Sequence, residues 1–130
     1  MRQMPSVDPV FRAELVRVID ADSLVVSLDR WFGDRSTKTL RLLGCDAPEL
    51  TGSEKDAGMA AREWALGWLV SASGVPYRLV VQTSKPDSFG RVLAYTFREF
   101  DGACLNTDLV AAGHARAVSE LAQMKAAREG

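Results

Sequence analysis

The chain has 130 residues, of which 47% are hydrophobic and 25% charged, with 16 basic and 17 acidic side chains. This length and composition are typical of one globular domain with a sizeable core, and they exclude a disordered chain. The net charge of −1 argues against a protein that coats nucleic acid through a bulk positive field, so any nucleic-acid site must be local.

The first ten residues contain two prolines and predict a loose lead-in to a single domain that spans residues 11–130. They hold no apolar signal-peptide core, and no stretch approaches the roughly 20 apolar residues of a membrane span. We therefore expect an intracellular, monomeric protein without membrane contacts, which would suit a phage or plasmid origin.

Two cysteines, Cys45 and Cys104, lie beside apolar or small residues. In an intracellular protein they are expected to stay reduced and to pack as small apolar side chains. His114 is the only histidine of the chain, so a Cys/His zinc site is not predicted.

The first part of the domain predicts three strands joined by short turns. Branched and apolar residues favour strands over 11–19, 23–28 and 37–43, with turns at 20–22 and 31–34. Leu40 and Leu42 then share one face of the third strand. Such a succession is typical of an antiparallel meander.

The middle of the chain changes to a helical period over residues 57–70. Its apolar stripe consists of Ala60, Trp64, Trp68, Ala61, Ala65 and Leu69. Ser53 and Asp56 are candidate caps at the start of this helix, and Gly74 and Pro76 mark its end. The two tryptophans are expected to anchor the helix on a sheet.

Strand patterns return over 77–83 and 91–97, separated by a polar loop at 84–90. A turn is predicted at Asp101-Gly102, and Asn106 and Ser119 are candidate caps of two closing helices. Three strands, a helix and two strands are the order of an OB-fold. We therefore predict a mainly β, α+β fold: a five-stranded antiparallel barrel with two or three helices, of a type that often binds oligonucleotides.

Three segments place charged residues at the ends of predicted strands. They are Asp20-Ala21-Asp22, the run Arg-Leu-Leu-Gly-Cys-Asp-Ala-Pro-Glu at 41–49, and Phe-Gly-Arg at 89–91. Each charge, taken alone, is better explained by a solvated surface position. Lys85 and Arg116 also allow two interpretations, since they could edge a cleft that tracks a nucleic-acid backbone or lie on an ordinary surface.

The three segments, in this order and spacing, resemble the motifs of the staphylococcal-nuclease (thermonuclease) family, over about residues 15–118. The resemblance implies an OB barrel with appended helices. It also implies a calcium site formed by Asp22, Asp46 and the backbone carbonyl of Ala47, with Glu49 as general base. Arg41 and Arg91 would contact the scissile phosphate, and Phe89 lies where the family has a substrate-contacting tyrosine. Lys85 and Arg116 are predicted, from their charge alone, to contact the substrate backbone at the edge of the cleft.

These assignments agree with the chemistry of each group. Calcium takes six to eight oxygen ligands and can polarise a phosphate, while a nearby carboxylate accepts a proton from water. Guanidinium groups match phosphate geometry and stabilise transition-state charge. The resemblance thus implies a calcium-dependent hydrolase, a nuclease cleaving DNA and RNA by in-line attack of water and leaving 3′-phosphates. Endonucleolytic and exonucleolytic cutting both stay open.

The alternative is a non-catalytic OB-fold module that binds single-stranded nucleic acid or a protein partner. The complete set of acids and arginines favours the enzyme. Some positions depart from the family pattern: Ala21 replaces a glycine, Ser88 a lysine and Phe89 a tyrosine, and Ser119 lies near the place of a second tyrosine. If position 21 needs a positive φ, alanine would cost about 1 kcal/mol and could tilt Asp22.

Overall fold

Five strands close into a barrel in the order β1-β2-β3-β6-β5, and a separate two-stranded ladder joins β4 to β7. The computed structural model describes residues 9–87 and 89–129, without the side chains of Lys85 and of residues 127–129. Residues 1–8 of the predicted lead-in and Ser88 lie outside this description. The elements in chain order are β1 (Val10–Asp20), β2 (Ser23–Asp29), β3 (Arg35–Leu42), β4 (Cys45–Asp46), a 3₁₀ turn (Gly52–Glu54), α1 (Lys55–Leu69), β5 (Leu79–Pro86), β6 (Val92–Arg98), α2 (Leu105–Ala111), β7 (Arg116–Ala117) and α3 (Glu120–Glu129).

The predicted α+β, OB-fold-like barrel is confirmed, and its first three strands form the predicted meander. Asp20 of β1 pairs with Ser23 of β2, and Ser23 pairs in turn with Arg41 of β3. This register places the turn between β1 and β2 level with the end of β3. Two of the three charged segments therefore meet at one end of the barrel.

The prediction of a purely antiparallel barrel was wrong at one pair of strands. β3 and β6 run parallel, with Leu40 opposite Val92 and Arg41 opposite Leu93. Antiparallel neighbours reverse direction at every step, so a closed ring with an odd number of strands cannot alternate throughout. The parallel closure places the start of β6 beside Arg41.

The core lies inside the barrel and beneath α1. Leu24, Leu40, Leu42 and Leu79 are fully buried on barrel strands. From α1, the core receives Ala61, Ala65 and Leu69, which are fully buried, and Trp68, which is 6% exposed. Half-buried Trp64 packs at its edge, whereas Ala60 is exposed. The predicted helix is thus confirmed, with its buried face centred on the small residues.

The ends of the elements differ in part from the prediction. Neither Ser53 nor Asp56 caps α1, because the 3₁₀ turn leads directly into it and its N-cap, Glu54, makes no side-chain cap bond. β5 continues to Pro86, which shortens the predicted loop. Ser119 does cap α3, as its Oγ accepts a hydrogen bond from the backbone N–H of Ala122 at 3.2 Å.

Asn106 is not a cap but a buried connector inside α2. Its Nδ2 donates to the carbonyls of Leu43 at 2.8 Å and Ala94 at 3.0 Å, and its Oδ1 accepts from the N–H of Thr96 at 3.0 Å. These partners belong to the turn after β3 and to β6. One amide therefore ties α2 to both parallel strands and gives a partner to the carbonyl of Leu43 and to the N–H of Thr96, while the carbonyl of Ala94 also accepts from the N–H of Leu43 at 3.0 Å.

Both cysteines are free, as predicted. Cys45 is buried, and burial raises the pKa of its thiol to about 12, so it stays protonated as an apolar core residue. Among the described helices none is both long and apolar enough to cross a bilayer.

Candidate active site

The β1–β2 turn and the loop after β3 are joined through Asp22. Its Oδ2 accepts a hydrogen bond from the backbone N–H of Ala47 at 2.8 Å, and its Oδ1 lies 3.3 Å from the hydroxyl of Ser23. The carbonyl of Asp22 also accepts from the N–H of Leu42 at 2.9 Å. Two segments about 25 residues apart are therefore fixed around one buried carboxylate.

Asp20 and Asp22 form a close pair of acids. Burial and, after it, a side-chain hydrogen bond with Asp20 raise the pKa of Asp22 to about 6, although Arg41 and the N–H of Ala47 act in the opposite direction. The Oδ1 atom of Asp20 is buried and accepts no hydrogen bond from any residue in the described ranges. Above pH 6 this pair carries charge that lacks full compensation, which is an environment suited to a cation.

Alanine at position 21 does not strain the turn. Among the non-glycine residues of the described chain, only Trp31 and Phe32 have positive φ angles, and both lie in the turn between β2 and β3. Ala21 is fully buried in the core. Its methyl group thus packs in the barrel, and the possible tilt of Asp22 by a left-handed residue does not arise.

Arg41 is a half-buried guanidinium that hydrogen bonds hold between the two acidic segments. Its side chain is 13% exposed, and its Nη1 donates to the carbonyls of Leu42 at 2.8 Å and Cys45 at 2.9 Å. The same Nη1 lies 3.4 Å from Asp22, and Nη2 donates to Asp46 at 3.1 Å. No residue that the structure describes accepts a hydrogen bond from Nε, which leaves a donor for a phosphate oxygen.

Asp46 is shared by two arginines. Its Oδ1 accepts from Arg41, whereas its Oδ2 accepts from the Nε and Nη2 of Arg116 at 3.1 and 2.9 Å. Asp46 and Arg116 are directly opposite each other in the β4–β7 ladder. The predicted metal ligand thus carries an ion pair on each of its oxygens.

The two predicted phosphate-contacting arginines line one cavity. Arg41, Arg91 and Phe89 share a cavity of about 170 Å³, with the Arg91 guanidinium 5.5 Å from the centroid of the Phe89 ring. Arg91 donates through Nε to Asp87 at 2.7 Å. The structure therefore brings together three residues predicted to contact substrate. The side chain of Lys85, a fourth predicted contact, is outside the described part of the chain.

Asp87 is a site residue that the sequence reasoning missed. Its Oδ1 accepts from the backbone N–H groups of Phe89 and Arg91, both at 2.9 Å, while its Oδ2 orients the Arg91 side chain. An aspartate that bonds the N–H two residues on forms an Asx turn. The sequence did contain a signal for this turn, because Pro86 and Asp87 ahead of Gly90 are residues typical of turns.

Glu49 lies in a second, larger cleft and not in the arginine cavity. This cleft of about 500 Å³ is also lined by Asp46, Ala47, His114 and Arg116. The carboxylate of Glu49 has no hydrogen bond or ion pair with any described residue, so it is available to a water molecule. The ion pairs from Arg41 through Asp46 to Arg116 lie between the two cavities.

The proposed cation ligands fit a hard ion in the type of their donor atoms. Asp22, Asp46 and the Ala47 carbonyl all offer oxygen, and the unpaired Oδ1 of Asp20 lies beside Asp22. Within residues 9–87 and 89–129, no group of three or more acid, cysteine or histidine side chains converges as a preformed metal cluster. The fit therefore rests on paired acids and a main-chain oxygen.

Comparison with models of known protein families finds no family that matches the chain. A search of curated proteins likewise finds no matching sequence. Membership of the thermonuclease family thus remains a proposal that rests on the three motifs and on their arrangement in the barrel.

Proposed function

We propose that this protein is a calcium-dependent phosphodiester hydrolase of the thermonuclease type that acts on DNA and RNA. The observation that carries the proposal is the convergence of three distant segments at one end of the barrel. Asp22 bonds the N–H of Ala47, Arg41 bonds Asp46, and Arg41 shares a cavity with Arg91. A purely structural barrel gives no reason for this concentration of buried and paired charge.

Asp22, Asp46 and the Ala47 carbonyl would hold the cation, and Asp20 would support it from the neighbouring position. Bound calcium supplies a positive charge that polarises the phosphate and orients a water molecule. Asp22 is kept in place by the N–H of Ala47, and Asp46 by Arg41. The chain thus orients its carboxylates before any ligand arrives.

Arg41 and Arg91 would bind the scissile phosphate. Asp87 takes only the Nε of Arg91, so both Nη groups of that side chain can face a ligand. Arg41 offers its Nε, while two carbonyls hold the opposite edge of its guanidinium. Fixed donors of this kind stabilise charge that develops on the phosphate oxygens.

Glu49 would accept the proton of the attacking water. The water oxygen forms a bond to phosphorus, and the bond from phosphorus to the 5′-oxygen breaks in line with it. The departing 5′-oxygen takes a proton from solvent, so the products are a 3′-phosphate and a 5′-hydroxyl. Because Glu49 has no ion-pair partner among the described residues, its carboxylate can serve as a base without first releasing one.

The proposal is tested by cleavage of denatured DNA at mildly alkaline pH in calcium, magnesium or a chelator. Glu49→Gln should lower the rate about a hundredfold or more. Glu54→Gln is the matched control, because Glu54 lines the same cleft from the 3₁₀ turn but has no proposed role. Calcium-dependent cleavage lost only in the first variant supports the enzyme.

The alternative function, a non-catalytic module that binds single-stranded nucleic acid or a protein partner, is favoured by one observation. Glu49 lies in a different cavity from the arginine pair. A wild-type protein that binds the strand and leaves it intact under every condition would overturn the hydrolase and support this module.

A further inference from the structure

The two arginines on Asp46 differ in their freedom to move. Arg41 is 13% exposed and is held by the carbonyls of Leu42 and Cys45 as well as by Asp46. The side chain of Arg116 is 77% exposed, and Asp46 is its only partner among the described residues. Arg116 can therefore leave Asp46 by side-chain rotation, whereas Arg41 cannot leave without breaking buried hydrogen bonds.

Arg116 occupies the oxygen that a cation would need. Arg41 already takes Oδ1 of Asp46, and both donors of Arg116 converge on Oδ2. A cation bound by Asp46 gains its strongest contact only when that oxygen is released. The guanidinium of Arg116 and the cation are therefore competitors for one atom.

The charge of the surrounding groups also indicates that the cation and Arg116 compete for Asp46. Asp22 and Asp46 pair with Arg41 and Arg116, and Asp20 contacts Asp22, so these three carboxylates and two guanidinium groups together carry a formal charge of −1. When Arg116 moves away, the remaining charge of −2 is the one that a divalent ion neutralises. With Arg116 in place, the same ion would leave an excess positive charge of +1.

A second partner for Arg116 is available in the cleft that it lines with Glu49. A phosphodiester in that cleft offers the same anionic oxygens as Asp46, and guanidinium binds phosphate well. We propose that Arg116 is an exchangeable counter-ion of Asp46, which nucleic acid draws onto its own backbone so that the cation site opens. This inference rests on the proposed function, because it assumes that cation and substrate use this site together.

The test is calcium titration by calorimetry of the full chain, with and without a phosphorothioate oligothymidylate that resists hydrolysis. Without the oligonucleotide, Arg116→Gln should bind calcium about fivefold or more tightly than the wild type. The oligonucleotide should strengthen calcium binding to the wild type and have a smaller effect on the variant. Arg116→Lys keeps the charge but loses the planar guanidinium, so its calcium affinity should lie between those of the wild type and Arg116→Gln. It also provides a second measurement if the glutamine variant folds poorly.

Arg35→Gln is the matched control for charge. Arg35 is an exposed β3 arginine at the other end of the barrel, 3.8 Å from Glu14, and its replacement makes the same change in net charge. The calcium affinity of Arg35→Gln should equal that of the wild type. A similar gain in calcium affinity in both variants would mean that the loss of a positive charge acts over a long range. That result would overturn the role of Arg116.

The remaining outcomes separate the two proposals. Equal or weaker calcium binding by Arg116→Gln, in a wild type that does bind calcium, overturns the exchange and leaves the proposed function standing. If no form of the protein binds calcium in either condition, both proposals fall.

Discussion

Gly58 lies directly against the backbone of Glu49. A Cβ atom at Gly58 would be 2.1 Å from the Glu49 carbonyl oxygen and 3.0 Å from that of Pro48. Only a residue without a side chain lets the first turn of α1 approach the loop this closely. The helix therefore sets the position of the proposed general base through a contact that involves no functional group.

Gly58→Ala should destabilise the protein and displace Glu49. Because the obstructing atoms belong to the backbone, either the helix or the loop must move, and overpacking of this kind costs about 1–3 kcal/mol. Urea unfolding measures the loss of stability, and the DNA cleavage rate at saturating substrate should fall as well.

Gly67→Ala in the same helix is the control for that substitution. A Cβ atom at Gly67 meets nothing within 4 Å, so alanine should stabilise α1 by about 0.5–1 kcal/mol. The explanation fails if both alanine variants shift the unfolding free energy in the same direction.

The acid pair predicts how stability depends on pH. Since the pKa of Asp22 rises from the usual 3.8 to about 6 on folding, the folded protein holds a proton that the unfolded chain releases between these values. Without a cation, the stabilisation that the folded state gains by holding this proton on Asp22 is complete below pH 3.8. It is lost as the pH rises through 6. This difference in pKa corresponds to about 3 kcal/mol of folding free energy.

Asp22→Asn should remove this dependence. The amide can donate to Asp20 while its oxygen still accepts from the N–H of Ala47, so the variant should exceed the wild type in stability above pH 6. Urea unfolding at pH 4, 5, 6 and 7 in a chelator makes the comparison. Parallel pH profiles for the two proteins would contradict the assignment.

Asn106→Leu should be strongly destabilising despite its similar size. It removes the hydrogen bonds to Leu43, Ala94 and Thr96, and it leaves the carbonyl of Leu43 and the N–H of Thr96 without these partners, whereas the carbonyl of Ala94 still accepts from the N–H of Leu43. Each such group costs about 1–3 kcal/mol. Urea unfolding measures the total, and faster hydrogen exchange at the Thr96 amide locates it. An unchanged exchange rate at Thr96 would show that Asn106 is not its required partner.

The sequence predicted the barrel strands well because their side chains alternate between core and solvent. Leu40 and Leu42 are both fully buried, as their spacing requires. The parallel pair of β3 and β6 was missed, although five strands that close a ring must contain such a pair. Closure is a property of the whole sheet, and no local pattern reports it.

The sequence pointed to separate members of the candidate site and not to the contacts between them. Strand ends and short motifs pointed to Arg41, Asp46 and Arg91, but the pairing of Asp46 with Arg116 depends on two strands of two residues each. Such strands are too short to show a period. The role of Gly58 was missed for a different reason. A glycine in a helix can indicate that another part of the backbone packs closely against it, but the sequence does not show which segment that is.

The β4–β7 ladder has a consequence for the order in which the protein is made. All five barrel strands lie before residue 99, whereas Arg116 and Gln123 follow them in the chain. Gln123 donates to the carbonyl of Leu42 and accepts from the N–H of Gly44. The barrel strands can therefore pair before these two residues have been synthesised. Until residue 116 emerges from the ribosome, Asp46 lacks its exposed counter-ion, and we expect the contacts around Asp46 to be completed only after the barrel strands have been made.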